Sequence, residues 1–213
     1  MAGCCDPHGC DQMFGAGFAR YAARRFRRRG LDTAARQMVD FLAVDGVAGA
    51  TVLDIGGGVG EIGIELLRRG AASATTLELS PAYDVEARRL AQEAGVADRA
   101  FRHVTDIAAD ADDVELADVV VLHRVVCCYP DFERLLGAAA DLCRGRLAFS
   151  HPPRNFVTRA FVAAQNATSS VLGREYRAFA HPPVAMVGAV EARGMRQVLK
   201  GSGMVWQVAA LVR

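Results

Sequence analysis

A chain of 213 residues, 52% hydrophobic and 23% charged, is long enough for one domain with a sizeable core. No apolar run reaches the roughly 18 residues of a membrane span, and a formal net charge of +1 argues against bulk attraction to nucleic acid. Six cysteines behind an N-terminus with neither a basic nor an apolar leader region point to a reducing cytosol, with free or metal-bound thiols rather than disulfides.

In chain order, residues 1–13 are polar, cysteine-rich and irregular. The spacing then predicts a helix over 14–29 closed by Gly30, bearing the cluster Arg20, Arg24, Arg25, Arg27, Arg28 and Arg29. A second helix follows over 31–44, with Asp32 or Thr33 as its cap. From there strands and helices alternate: strand 51–55, helix 61–69, strand 74–79, helix 82–94, strand 101–105, strand 117–123, helix 131–142 and strand 146–150. Such alternation predicts a parallel sheet with right-handed crossovers. Helices are expected over 154–172 and 182–193. The apolar runs 195–200 and 204–212, joined by Gly201-Ser202-Gly203, read as a hairpin. The acids Asp110, Asp112, Asp113 and Glu115 mark a solvated loop or short helix before strand four. The arginine cluster reads as a solvated face, partly paired with the acids at 106–118.

The most telling stretch is 51–60, TVLDIGGGVG. A β-branched apolar strand runs through Asp54 into a turn of four glycines, Gly56, Gly57, Gly58 and Gly60, and then into a helix. Glycines there let the chain turn tightly and let a ligand approach where a Cβ would clash. This is a nucleotide-binding βα unit. The third position of a dinucleotide G-x-G-x-x-G fingerprint is Glu61, and no Lys-Ser or Lys-Thr follows the glycines as a P-loop demands. Glu78, about 20 residues past the turn, is placed to accept hydrogen bonds from a ribose. Asp106 ends the third predicted strand; by itself it also fits a helix cap or turn.

Asp54 followed by G-x-G-x-G resembles motif I of the class I S-adenosylmethionine-dependent methyltransferases. Over about residues 35–213 the resemblance implies an α/β, Rossmann-like fold: seven strands, mostly parallel, ending in a C-terminal antiparallel hairpin, with helices on both faces. It implies a methyltransferase domain over 46–213, preceded by a cysteine-rich and helical lid over 1–45. It implies S-adenosylmethionine as cofactor. Gly56, Gly58 and Gly60 would receive the methionine part, with Gly57 in the same cofactor-binding turn and Asp54 ordering it. Glu78 would hold the ribose and Asp106 the adenine amine, and Leu79 and Ile107 would flank the ring. The stretches HRVVCCYPDFERLL (123–136) and RGRLAFSHPPR (144–154) resemble magnesium-protoporphyrin O-methyltransferases and related small-molecule enzymes.

Ligands in open α/β sheets sit outside the carboxyl ends of the strands, so the loops after strands four and five should meet the acceptor. His123 is the candidate general base and Tyr129 a candidate orienting group. His123 also fits a packing residue, and Tyr129 a ring packed over a turn. Cys127, Cys128, His151 and Arg154 are expected to face the substrate, joined by Cys4, Cys5 and Cys10 if the N-terminal segment folds over as a lid. Convergent thiols suit a soft metal or metalloid, as in arsenite methyltransferases, although the cysteine pattern of that group is not matched. The spacing is no zinc signature, no metal site is assigned, and buried cysteines also serve as small hydrophobes. The expectation is a cytoplasmic enzyme, monomer or homodimer, acting on a small molecule. The rivals are an RNA methyltransferase reading its partner through the arginine helix, and a non-catalytic thiol-based metal or redox sensor that retains cofactor binding. An NAD-dependent oxidoreductase is disfavoured by Glu61 and by the terminal hairpin.

Overall fold

The computed structural model describes residue 9 and residues 13–213. Two helices, α1 (Ala16–Arg29) and α2 (Thr33–Leu42), precede the sheet. Then come β1 (Thr51–Ile55), α3 (Glu61–Arg68), β2 (Ser73–Leu77), a 3-10 turn and α4 (Asp84–Glu93), β3 (Ala100–His103) and β4 (Ala117–Leu122). A second 3-10 turn, Val126–Cys128, leads to α5 (Phe132–Asp141), β5 (Cys143–His151), α6 (Phe156–Val171), α7 (Pro183–Glu191), β6 (Arg196–Gly201) and β7 (Gln207–Val212).

The strand order is β3-β2-β1-β4-β5-β7-β6. The first five strands in chain order run parallel, and β7 is antiparallel to both β5 and β6. Strand order reverses between β1 and β4, which opens a crevice at their carboxyl ends. Alternate strand residues feed two cores. Val52, Val121 and Ala148 meet α1, α2 and α3 on one face; Leu53, Val120 and Phe149 meet α5 and α7 on the other. The N-terminal helices therefore share the main core through Ala19, Ala23, Met38 and Leu42.

Boundaries shift where side chains intervene. Strand β2 stops at Leu77 because both oxygens of Glu78 take backbone amides, from Gly58 and Ser80. Strand β3 stops at His103, and Asp106 lies beyond it in a turn, its carboxylate accepting from the Ala108 amide. Asn155 caps α6 through the Thr158 amide, so that helix starts at Phe156. Strand β7 begins at Gln207 rather than 204. The chain folds so tightly at Gly203 that a Cβ there would lie 2.0 Å from the Trp206 carbonyl oxygen. No helix forms between β3 and β4; the acid-rich 104–116 segment crosses that sheet face as a loop, leaving Phe101, Val104 and Leu116 exposed. Among the described residues no helix is long and apolar enough to cross a membrane. Arg27 pairs with Glu93 and Glu86 of α4, which corrects the expectation that the arginine cluster meets the acids at 106–118.

At the opposite end of the sheet, Thr51 and Asp118 lock β1 to β4. The Thr51 amide (2.8 Å) and hydroxyl (2.9 Å) both donate to one Asp118 oxygen. Those hydrogen bonds, the amide's first, hold the Asp118 carboxyl below its usual range. Its stabilisation is therefore present above the ordinary carboxylate range and is lost as pH falls through the lowered value. Asp118→Ala is expected to destabilise the protein by about 1–2 kcal/mol at neutral pH. Urea melts should show the deficit shrinking in acid; an equal deficit at all pH values would assign the effect to packing.

Candidate active site

The glycine turn sits directly on Asp54. Gly56, Gly58 and Gly60 have φ of +62°, +55° and +80°, which L side chains rarely adopt. A Cβ on Gly57 would lie 2.5 Å from the Asp54 carboxyl carbon. Asp54 is 1% exposed, and its oxygens receive no well-formed hydrogen bond; the Gly63 amide is near enough only to offset part of the cost of burial. Burial first, and then the charge of Glu61, pushes its pKa up to about 8. Burial raises Glu61 as well.

Glu78 stands beside the turn. Its Oε2 accepts from the Gly58 amide at 2.9 Å and its Oε1 from the Ser80 amide at 3.1 Å. Burial raises its pKa, and those amides oppose the rise. A carboxylate has about four lone-pair sites, so acceptor capacity remains. Arg102 of β3 completes the cradle: Nη1 donates to the Gly58 carbonyl at 2.9 Å and Nε to Asp84 at 3.2 Å. Sequence reasoning missed Arg102; the available signal was an arginine among strand residues at an inward-facing position.

One cleft joins most of the expected residues. It is lined by Asp54, Gly56, Gly57, Gly58, Glu78, Leu79, Asp106, Ile107, His123, Cys128 and Tyr129. Helix α1 and the residues before it roof the cleft with Phe14, Phe18 and Tyr21; of the six clustered arginines, Arg25 alone lines it. Gly60 shapes the turn from outside, as the left-handed N-cap of α3. The Tyr129 hydroxyl donates to Asp106 Oδ2 at 2.9 Å, which puts this ring at the Asp106 end of the cleft. Burial, then the bond to Asp106, raises the Tyr129 pKa.

His123 directly follows β4, at the other extremity. Its Nδ1 lies 3.0 Å from the Ser150 hydroxyl and its Nε2 3.3 Å from Asp32 Oδ2. Since a carboxylate only accepts, Nε2 carries the proton and Nδ1 accepts from Ser150. Asp32, predicted only as a cap, does cap α2 through the Ala35 amide. It also pairs with Arg124. Burial would raise Asp32, but hydrogen bonds from His123 and the Ala35 amide, with the Arg124 charge, hold it well below the carboxylate range. Arg124 has φ of +63°, a strained value for a non-glycine residue. The Ser150 hydroxyl holds its amide, and its guanidinium lies 5.1 Å from the Trp206 ring centroid. Nothing in sequence spacing brings Asp32, Ser150 and Trp206 together; three separate elements do.

The remaining thiol and base candidates divide. Cys128 lines the cleft; Cys127 lies behind it, its sulfur 3.7 Å from that of Cys128. His151 and Arg154 are not among the residues that line the cleft. Strand β5 continues through His151, burying it opposite Gln207 with Nδ1 against the Pro152 carbonyl. Burial lowers its pKa. Arg154 turns away to the Ala180 carbonyl. Cys4, Cys5 and Cys10 lie outside the described residues. Among the described residues no group of three or more His, Cys, Asp or Glu could hold a metal ion.

Asp54 gives the ligand-free protein a pH signature. Between about 4, where an unfolded aspartate ionises, and about 8, the folded chain keeps a proton that the unfolded chain has released. Stability therefore falls as pH rises through that window and levels above it. Asp54→Asn is expected to flatten the fall by on the order of a few kcal/mol between pH 5 and pH 8. Urea titrations at both pH values measure it; parallel slopes for wild type and variant would remove Asp54 as the source.

Comparison with known proteins follows this geometry. The sequence model of a family described as "Methyltransferase domain" matches residues 21–202. No curated protein gives a significant sequence match. Among solved structures, magnesium protoporphyrin IX methyltransferase from Synechocystis PCC 6803 with bound SAH superposes with a TM-score of 0.72 at 20% identity, over 95% of this chain and 99% of that one. An O-methyltransferase family protein from Burkholderia thailandensis gives 0.69 at 22% identity, over 92% of this chain and 59% of that one. Human N-acetylserotonin methyltransferase in complex with SAM gives 0.66 at 15% identity, over 98% and 59%.

Proposed function

We propose, since this chain belongs to the methyltransferase-domain family, that it transfers a methyl group from S-adenosylmethionine to a small-molecule acceptor held at the His123 end of the cleft. The observation that carries the reading is the glycine turn laid over a buried carboxylate without a well-formed hydrogen bond, Asp54, with Glu78 beside it. The residues fit the cofactor. Asp54 and the backbone of Gly56–Gly58 would receive its amino-acid part, Glu78 the ribose hydroxyls and Asp106 the adenine amine, between Leu79 and Ile107. Solved neighbours with bound SAH or SAM support this assignment. When bound, the sulfonium supplies an already activated methyl group.

The protein's own part is alignment, water exclusion and proton handling. Helix α1, acting as a lid, closes the cleft with aromatic rings. With the acceptor in place of Asp32 at Nε2, the longer of the ring's two contacts, His123 turns to the tautomer that carries its one ring proton on Nδ1 and donates it to the Ser150 hydroxyl in a hydrogen bond. The Nε2 lone pair then takes the acceptor's proton, and the nearby Asp32 charge stabilises the resulting imidazolium. The family match and the small-molecule enzymes among the solved neighbours favour this reading over the RNA and metal-sensor alternatives.

Calorimetry with S-adenosylmethionine and S-adenosylhomocysteine tests the cofactor, with metal analysis of the same sample. Micromolar or tighter binding of both is expected. Transfer of a labelled methyl group to a panel of phenols, carboxylic acids and thiols then tests the acceptor class. Failure to bind either nucleoside would end the proposal.

A further inference from the structure

Cys127 and Cys128 are consecutive residues whose sulfurs lie on the same side of a short 3-10 turn, 3.7 Å apart. Consecutive side chains in extended chain point to opposite faces, so this pairing is a property of the turn. The turn is braced. The Cys127 carbonyl accepts from the Phe179 amide at 2.7 Å, and the Cys128 amide donates to the Val125 carbonyl at 2.8 Å. Both sulfurs approach the Arg124 carbonyl, at 3.5 and 3.7 Å, and the Tyr176 hydroxyl lies 3.1 Å from the Cys128 sulfur. Neither thiol is in a disulfide. Cys128 opens onto the cleft, giving a small solute a path to the pair.

We infer that Cys127 and Cys128 form a two-thiol chelating site for a soft trivalent metalloid, of the monosubstituted arsenical class. An atom about 2.3 Å from each sulfur, the length of a metal–thiolate bond, would see the present 3.7 Å separation at an angle of about 107°, close to tetrahedral. The pair thus needs little movement to bond one centre. Soft thiolates favour such centres, and a site of two protein ligands does not satisfy zinc's demand for four. Hydrogen bonds from the Cys127 thiol and the Tyr176 hydroxyl favour ionisation of Cys128, while the same contact and burial raise Cys127. Cys128 therefore attacks first and Cys127 closes the ring. With an arsenic(III) oxide of formula R–As=O, two S–As bonds form and the As=O bond breaks. The oxygen leaves as water with the two thiol protons; arsenic stays trivalent, and no oxidant or reductant takes part.

Phenylarsine oxide is the probe and intact mass the readout. The background variant is C4S/C5S/C10S/C143S, which keeps only the pair. One phenylarsenic group per chain is expected, resistant to excess mercaptoethanol and removed by a dithiol. In that background Cys127→Ser or Cys128→Ser should weaken capture by about two orders of magnitude, the advantage of a tethered second thiol. Undiminished capture by either single-thiol protein, or no adduct on the folded background variant, overturns the assignment. If the background variant does not fold, proteolysis of the wild-type adduct decides: arsenic bridging 127 and 128 supports the site, and arsenic elsewhere overturns it. The readout is mass rather than methyl transfer, so it stands or falls independently of the cofactor reading.

Discussion

Replacing His123 with alanine is expected to lower methyl transfer by about 10²–10⁴-fold, the range of a lost general base. S-adenosylhomocysteine affinity should change little. The two effects separate because His123 lies at the β4 end of the cleft, bonded to Ser150 and Asp32. Glu78, Asp106 and the glycine turn are held by other partners. Loss of the ring also loosens α2, since Asp32 is both its cap and a partner of His123. Activity alone would therefore be ambiguous. Added imidazole resolves this: a missing proton acceptor is restored by a free one in solution, whereas a missing strut is not. Partial recovery of turnover with added imidazole supports the base, whatever the change in melting temperature. A variant that imidazole does not rescue, and whose melting temperature falls with its activity, reduces His123 to a strut. Asp32→Asn should also slow turnover, through loss of the charge that stabilises the imidazolium.

Glu78→Ala should weaken S-adenosylmethionine binding by about 10²–10³-fold, since hydrogen bonds to a charged group contribute roughly 1.5–3 kcal/mol each. Two sources add. The ribose loses its acceptor, and the Gly58 amide loses the partner that fixes the turn. Glu78→Gln separates them. Its amide oxygen can still accept from one backbone donor, so the turn is kept better while the charge is gone. The order expected from calorimetry is wild type, then Gln, then Ala. Equal affinity in all three proteins would remove Glu78 from the cofactor site.

The fold was legible because its signals are local and repetitive. TVLDIGGGVG declares a strand, turn and helix within ten residues, and the alternation downstream dictates crossovers. The terminal hairpin announced itself through two apolar runs around Gly201 and Gly203. That Asp54, Glu78 and Asp106 line one cleft was legible for the same reason, since all three lie at or just past carboxyl ends of successive strands. The acceptor side was not. The partners of His123 come from the cap of α2 and the end of β5, distant in sequence and joined only by packing. Arg102 reaches the turn across β2, and such a reach leaves no periodic trace. The setting of His151 was not legible because strand β5 runs one residue further than its apolar run, which buries that imidazole within the sheet.

The helix-free crossing between β3 and β4 bears on how copies of this chain behave together. Strand β3 is an outer strand, and Phe101, Val104 and Leu116 lie uncovered near it. A bare margin of this kind invites another chain to add on. Asp110, Asp113 and Glu115 line the same hollow as those three side chains. Like charge there is expected to oppose such addition between copies at low salt, and less so at high salt.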